Sequence, residues 1–345
     1  MANKRVIFGI YAVGIAPDGS TSYTPVHGLQ SIGITTTFNL EQVFEIGQSN
    51  IYQNLENIPD IEITTNKVLD GYIPVYCLAT RAGKTSNTLY GRSAASCIVA
   101  MSIFGDTSDS ASGTPLREVN MSGLFISSVG YTLPVDGFCT EDVTFVGNNK
   151  VWKSSGFTFT GSLFNNQDAP LSYGSGTGGV QRRQNVVFAG TGGNFTLLPT
   201  PSYGGIPGIS ASGTNDKVND VYGAHIQSIK TSVSLGRTEL LELGRRNPYY
   251  RPINALSQVT TDIELLSQYG DDVSATDVGV IAASGTNLED KAIRIYLQEG
   301  LNVDLGTRNK LSNVAMGGGD TGGANQTLTY SYVNFNFFTV SHPQE

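Results

Sequence analysis

The residues able to do chemistry are few and thinly spread. Asp60 with Glu62, Glu141 with Asp142, and Asp271 with Asp272 are carboxylate pairs of the type that shares acid and base work in glycoside cleavage. That chemistry needs two carboxyls facing each other across a cleft. Nothing in the spacing of these pairs brings it about, and each reads as a pair of surface acids. His27, His225 and His342 are the only histidines and form no His-x-x-x-His pair, so neither a metal site nor a Ser/His relay follows from them. Gly174-x-Gly176-x-x-Gly179 has the spacing of a dinucleotide fingerprint. It lies in a Ser/Gly run, with no helix pattern after it to receive a pyrophosphate. It reads as a loop. Cys77, Cys97 and Cys139 make an odd, sparse set without a Cys-x-x-Cys pair and are expected as buried thiols in a reducing compartment. Asn120, Asn194 and Asn325 open Asn-x-Ser/Thr triplets, a spacing frequent by chance in a chain this rich in those residues. No catalytic residue, metal or cofactor is expected.

The stronger signal is a repeat. Gln30-Ser31-Ile32, Glu45-Ile46-Gly47 and Asn50-Ile51-Tyr52 recur 197 positions later as Gln227-Ser228-Ile229, Glu242-Leu243-Gly244 and Asn247-Pro248-Tyr249, with seven of 23 aligned positions identical. A spacing of that length is about one domain, too long for a solenoid unit. The expectation is a tandem duplication: a first β domain over 1–160, a Gly/Ser/Pro-rich junction with short strands over 161–220, and a second β domain over 221–345.

Elements follow from period and punctuation. Strands are expected at Val6–Ile15, Ser31–Phe38, Asp60–Thr65, Ile73–Ala79, Cys97–Phe104, Val119–Tyr131 and Glu141–Gly147. In the second half they are expected at Ile226–Leu235, Ser257–Leu266, Ile293–Leu297 and Thr327–Val333, the last running on into Phe335–Val340. Leu40, Val43 and Phe44 stand at i, i+3, i+4 before Gly47, and Thr238–Leu243 matches them. A short helix in each unit is predicted there. Gly105–Pro115 and Met316–Gly323 read as loops of small residues.

Composition narrows the class. Charged residues are 14% and hydrophobic ones 39% of 345 residues, so the chain folds but carries a weakly charged surface. Such a surface suits a protein covered by copies of itself, or an extracellular β protein. The net charge of −8 is split evenly, −4 in residues 1–160 and −4 in 161–345. No basic stripe exists to grip nucleic acid. Lys4-Arg5 before Val6–Ala16 resembles a short signal peptide. Pro17 after Gly14-Ile15-Ala16, with Gly9 and Gly19, instead fits a first strand and turn. No stretch approaches the ~18 apolar residues that span a membrane.

The run His27-Gly28-Leu29-Gln30-Ser31-Ile32, Gln42-Val43-Phe44-Glu45-Ile46-Gly47, Ile58-Pro59-Asp60-Ile61-Glu62-Ile63 and Leu69-Asp70-Gly71 resembles tail tube proteins of tailed bacteriophages. So does Ile126-Ser127-Ser128-Val129-Gly130-Tyr131 through Pro134-Val135-Asp136-Gly137 to Val146-Gly147-Asn148. Ser234-Leu235-Gly236-Arg237, Leu243-Gly244-Arg245-Arg246 and Pro248-Tyr249-Tyr250-Arg251 carry it in the second half. Asn254–Val259 departs from the expected Pro-Val-Glu-Val-Thr type of strand entry, and residues 161–220 are not covered. The resemblance implies a mainly β fold of two similar barrel or sandwich domains, each with a short α-helix. It implies a structural virion protein, not an enzyme, whose rings stack into a hollow tail tube that delivers the genome. The expected partners are other copies of the chain, sheath, baseplate or terminator proteins, and DNA that passes without specific binding; no membrane is involved. The expected location is the virion tail, assembled in the host cytoplasm. A trimeric ring imitating a hexamer is favoured over six whole chains. Glu45 and Glu242 are the expected acids of inter-domain ion pairs, with Arg237, Arg245, Arg246 and Arg251 as cations. A distal or terminator ring at the tail end is the near alternative; an adhesin or carbohydrate-binding module is the remote one.

Overall fold

Alternation of apolar and polar residues sets the main sheet. In Asp60–Val68 the side chains of Ile61, Ile63, Thr65 and Lys67 turn inward, while Asp60, Glu62 and Thr64 face out. Val259, Thr261, Ile263 and Leu265 do the same in Gln258–Leu266. The structure, a computed structural model, describes residues 10–86, 88–105, 111, 113–158, 179–186, 226–266, 290–318 and 325–345. Most of the expected junction, the paired glycines Gly174 and Gly176, His225, the Asp271/Asp272 pair and parts of both expected loops lie outside the described residues.

In chain order the elements are β1 (Tyr11–Pro17), β2 (Thr24–Pro25), β3 (Leu29–Thr37), β4 (Leu40–Phe44), β5 (Ile51–Glu56), β6 (Asp60–Val68), α1 (Val75–Ala79) and α2 (Leu89–Ser93). They continue with β7 (Cys97–Ile103), β8 (Arg117–Pro134), β9 (Thr140–Gly147) and β10 (Asn149–Lys153). After them come β11 (Ile226–Ser234), β12 (Gln258–Leu266), β13 (Arg294–Tyr296), β14 (Asn302–Asp304), β15 (Lys310–Gly317), β16 (Thr327–Phe335) and β17 (Thr339–Ser341). The fold is mainly β, as the sequence implies.

Eight strands run antiparallel in the order β3-β6-β9-β8-β11-β12-β16-β15. The first four and the last four repeat one hydrogen-bond pattern. The β3–β6 ladder skips Gln30, and the β11–β12 ladder skips Gln227. The β8–β9 ladder skips Ser127, and the β15–β16 ladder skips Ser312. Two bulges therefore recur at matched places with the same residue types, and each fixes its ladder's register. β8 joins the two sets. Its second half pairs with β9 and β11, while its first half turns away to pair with β7 and β10.

One hydrophobic core underlies both sets of four strands. Ile63, Phe145 and Tyr131 from the first share it with Val233, Ile263 and Tyr330 from the second. α1 and the small β13-β14-β17 sheet belong to it as well, and Phe338 packs edge-on to Tyr76 with ring centroids 5.9 Å apart.

The two predicted helices are absent from their places. Leu40–Phe44 is strand β4, paired with β5 in a hairpin, and every residue of both strands is exposed. The matching segment after β11 is also extended, bridged at Arg237–Ile253 and Leu240–Tyr250. The i, i+3, i+4 pattern had no core to face, so it carried no helical information. Gly47 (φ +99°) and Gly244 (φ +86°) are hairpin-turn glycines, not helix stops. Conversely, the strand predicted at Ile73–Ala79 contains helix α1, with all five residues buried. Met316 and Gly317, expected in a loop, end strand β15.

Candidate functional site

The outward face of the eight-stranded sheet is built mostly from Ser, Thr, Asn and Gly, because alternation sends the branched apolar residues to the core. Its charges are mainly acidic: Asp60, Glu62, Asp142, Asp262 and Glu264, with Lys230 and Lys310 among them. Neighbouring hydroxyls and amides hold three of these acids. Asn66 Nδ2 donates to Asp142 Oδ1 at 2.7 Å, Ser331 Oγ to Asp262 Oδ1 at 2.6 Å, and Ser228 Oγ to Glu264 Oε2 at 2.9 Å. Side chains fastened to their own sheet present a smooth, negatively charged surface.

Two arms project from the sheet. The first is the β4–β5 hairpin between β3 and β6; the second, residues 237–253, lies between β11 and β12. Apolar side chains crowd the first arm, with Phe38, Leu40, Phe44 and Tyr52 all exposed. The second arm instead rests on the first four strands through arginines. Arg237 donates from Nε to the Ile126 carbonyl at 2.8 Å and from Nη2 to the Ser93 carbonyl at 2.6 Å, with its guanidinium 5.2 Å from the Phe125 ring. Burial pulls its pKa down to about 10. Arg251 donates to Asn148 Oδ1 at 2.9 Å and pairs with Asp60 at 3.2 Å and with Glu239.

The other expected ion-pair residues sit at the arm tips. Glu242 pairs with Arg245 at 2.9 Å, both well exposed, and Arg246 is exposed beside them. Glu45 accepts from Gln48 Nε2 at 2.9 Å at the tip of the first arm. Glu45 and Glu242 thus make local contacts within their own arms. The acid that reaches across to the second arm is Asp60, while Glu239 pairs with Arg251 within the arm itself.

A buried polar cluster lies behind the sheet, and Glu141, expected as a surface acid, is fully buried in it, while Asp142 faces outward. Lys67 Nζ, fully buried, donates to Asp70 Oδ1 at 2.6 Å and to the His27 carbonyl at 2.8 Å. Glu141 accepts from the first two amides of α1, Val75 N at 2.6 Å and Tyr76 N at 3.1 Å, and from Tyr131 Oη at 2.8 Å. A carboxylate aimed at unpaired helix amides is a cap, although burial still raises its pKa. Glu299 accepts from the Gly71 amide, and burial pushes its pKa up to about 8. Glu141 ties α1 to β9, and Glu299 ties the 69–72 turn to the last third of the chain. Each is committed to a protein partner, which fits a structural role. Among the described residues, no group of three or more His, Cys, Asp or Glu is placed to hold a metal. Cys77, Cys97 and Cys139 are buried free thiols, all with pKa values raised by burial.

No protein-family model and no curated protein matches the chain. Solved structures to which it is similar include the anti-feeding prophage cap, a tube-terminating cap, at TM-score 0.33 and 11% identity over 45% of this chain and 95% of that one. A sheath/tube terminator of the PVC extracellular contractile injection system, in its extended state, gives TM-score 0.33 and 13% identity over 44% and 99%. The sheath-tube complex of the same kind of system gives 0.33 and 12% over 45% and 95%. Similarity at this level carries no argument, and the functional reading rests on the chain's own residues.

The contacts that hold the second arm had a partial sequence signal. Asp60 and Arg251 lie in motifs that were visible, but their pairing depends on the second arm folding back, which spacing along the chain does not encode. Glu239 stands two residues after Arg237 and was hidden by the helical reading of Thr238–Leu243.

Proposed function

We propose that the chain is a structural tail protein whose copies close into rings of a phage-type tail tube. Each chain supplies two tandem-duplicated units, residues 1–160 and 221–345, joined by 161–220. Three copies then fill a circumference of six units. The observation that carries this reading is the internal joint. β8, the last strand in the first set of four, pairs with β11, the first strand in the second set, over seven residues. The two sets of four strands sit side by side in one sheet, and among the described residues its end strands β3 and β15 have no outer neighbour.

The acid-weighted outward face suits a lumen through which DNA slides without sticking, since like charge and fastened side chains offer phosphates no grip. Sheath, baseplate or terminator proteins are the further partners proposed, and no catalytic role is assigned. Electron microscopy of the purified protein tests the reading. Rods with a regular axial repeat and three chains per ring are expected. Isolated rings that never stack would move the assignment to a tail-end ring, and six whole chains around one lumen would refute the trimer. Dispersed particles at all concentrations would end the tail reading.

A further inference from the structure

We infer that β3 and β15, the sheet edges without an outer neighbour among the described residues, pair with each other between two copies of this chain, in the register of the β8–β11 joint. Resting on the ring-forming reading, the inference specifies its seam residue by residue.

The matched bulges give the register. Aligning Gln30 with Gln227 carries β3 onto β11, and aligning Ser127 with Ser312 carries β8 onto β15. Within the chain, Val129 faces Val233, Gly130 faces Ser232 and Tyr131 faces Thr231. The same relations between copies place Val314 opposite Thr36, Ala315 opposite Thr35 and Met316 opposite Ile34. Face parity agrees. Thr36 and Ile34 lie on the more covered side of β3, and Val314 is the more covered residue of its part of β15. A slip by one residue would turn every inward side chain outward.

The edges themselves call for a partner. Ser31–Thr37 contains no charge and no proline, and neither does Leu311–Gly317. A lone edge strand is normally guarded by such residues. Ile32 and Ile34 at one end, and Leu311 and Val314 at the other, pack on the core yet remain only partly covered. A second copy would complete the core at both.

The surfaces beside the two seams also match. In the internal joint, Arg251 of the second arm meets Asp60 and Asn148. By the same alignment, Asn54 replaces Arg251 and Leu40 replaces Arg237 on the first arm, while Gln258 and Phe335 replace Asp60 and Asn148. Ions have left both sides together. Leu40 is 60% exposed and Phe335 54%, with Leu256 and Phe337 also exposed. The internal seam is ionic, and the seam between copies is apolar.

Paired cysteines test the register, because a disulfide needs Cβ atoms about 4 Å apart. In the full chain, T35C with A315C should give disulfide-linked multimers on mild oxidation. The yield should be at least about tenfold above T37C with A315C, two residues out of register. G130C with S232C should link within one chain and serves as the folded control. Should any cysteine variant misfold, amide hydrogen exchange on the unaltered protein gives a second readout. Assembly should slow exchange in both Ile32–Thr36 and Asn313–Met316. Rings that form without the T35C–A315C link, or with preferential linkage at Thr37, would overturn the seam and leave the ring reading standing. Absence of multimers together with unchanged exchange at both edges would overturn both.

Discussion

Arg251 donates from Nη2 to Asp60 Oδ1 at 3.2 Å, across 191 residues of sequence. The guanidinium is nearly buried, and the same fork reaches Asn148 and Glu239. Asp60 is half exposed, so its own attraction is screened, and the hydrogen-bonded fork supplies most of the hold. Arg251→Ala should therefore lower unfolding stability by about 1–3 kcal/mol, less than the loss of a fully buried pair. Arg251→Lys should recover less than half of that, since an ammonium cannot serve three acceptors in the planar pattern. Urea denaturation of the two variants checks both statements. Equal losses from the two substitutions would show that charge alone matters there.

Glu299 sets a pH dependence. Burial is the main reason its pKa lies near 8, above the ordinary 4.5; Asp70 and Glu141 add to it, while the Gly71 amide and Lys67 oppose it. A carboxyl raised on folding favours the folded state while protonated. Its contribution is full below about 4.5 and is lost as pH rises toward 8. His342 works the other way, because burial lowers it to about 4, and stability falls as pH drops from 6.5 through that value. Glu299→Gln keeps an acceptor for Gly71 and removes the titration. The variant should lose less stability than the parent between pH 5 and pH 8, by about 1–3 kcal/mol. Parallel denaturation midpoints across that range for parent and variant would exclude this role.

Much of the sheet was legible because its signal is local. Asp60–Thr65, Cys97–Phe104, Glu141–Gly147 and Ser257–Leu266 alternate or run apolar between turn residues, and each became a strand. The arms were misread for a physical reason. Leu40, Val43 and Phe44 keep helical spacing but are all exposed, so the periodicity reports nothing about an interior. α1 was misread for the opposite reason. Val75–Ala79 is buried all round, which removes periodicity, and its first amides are satisfied by Glu141, 66 positions from Val75. The pairing of β8 with β11 follows from a fold-back that no short window records. The matched Gln and Ser bulges become visible only once the ladders are drawn.

Gly28 combines a left-handed backbone with close neighbours on both main chain and side chain. Its φ is +70°, and a Cβ there would stand 2.8 Å from the Val68 carbonyl and against the Asp70 carboxylate that holds Lys67. Gly28→Ala combines a left-handed backbone with displacement of a buried ion pair, and about 2–4 kcal/mol should be lost. Gly19 has a similar φ of +78° with open space around it. Gly19→Ala should cost only the conformational term, about 1 kcal/mol. The contrast, read by thermal unfolding, separates crowding from strain; equal shifts would remove the clash from the explanation.

Ile46 and Leu243 occupy matching arm tips, 197 positions apart, and each is as exposed as in an unfolded chain, at 103% and 104%. Beside each is a turn glycine with positive φ, Gly47 or Gly244, so both residues are held at the far point of an arm. A single exposed aliphatic residue means little. A pair at matched tips, with Phe38, Leu40, Phe44 and Tyr52 exposed along the first arm, forms an apolar surface that a lone soluble chain has no use for. Since neither tip buries anything within the chain, I46K and L243K should each change unfolding stability by less than about 0.5 kcal/mol. Assembly should respond differently, because a lysine at the centre of an apolar contact must be desolvated without a partner. The double variant should need at least about tenfold more protein to form rings or rods, measured by light scattering against the parent at equal salt. Unaltered assembly in the double variant would place the tips outside every contact between copies, leaving the sheet edges as the sole adhesive surface.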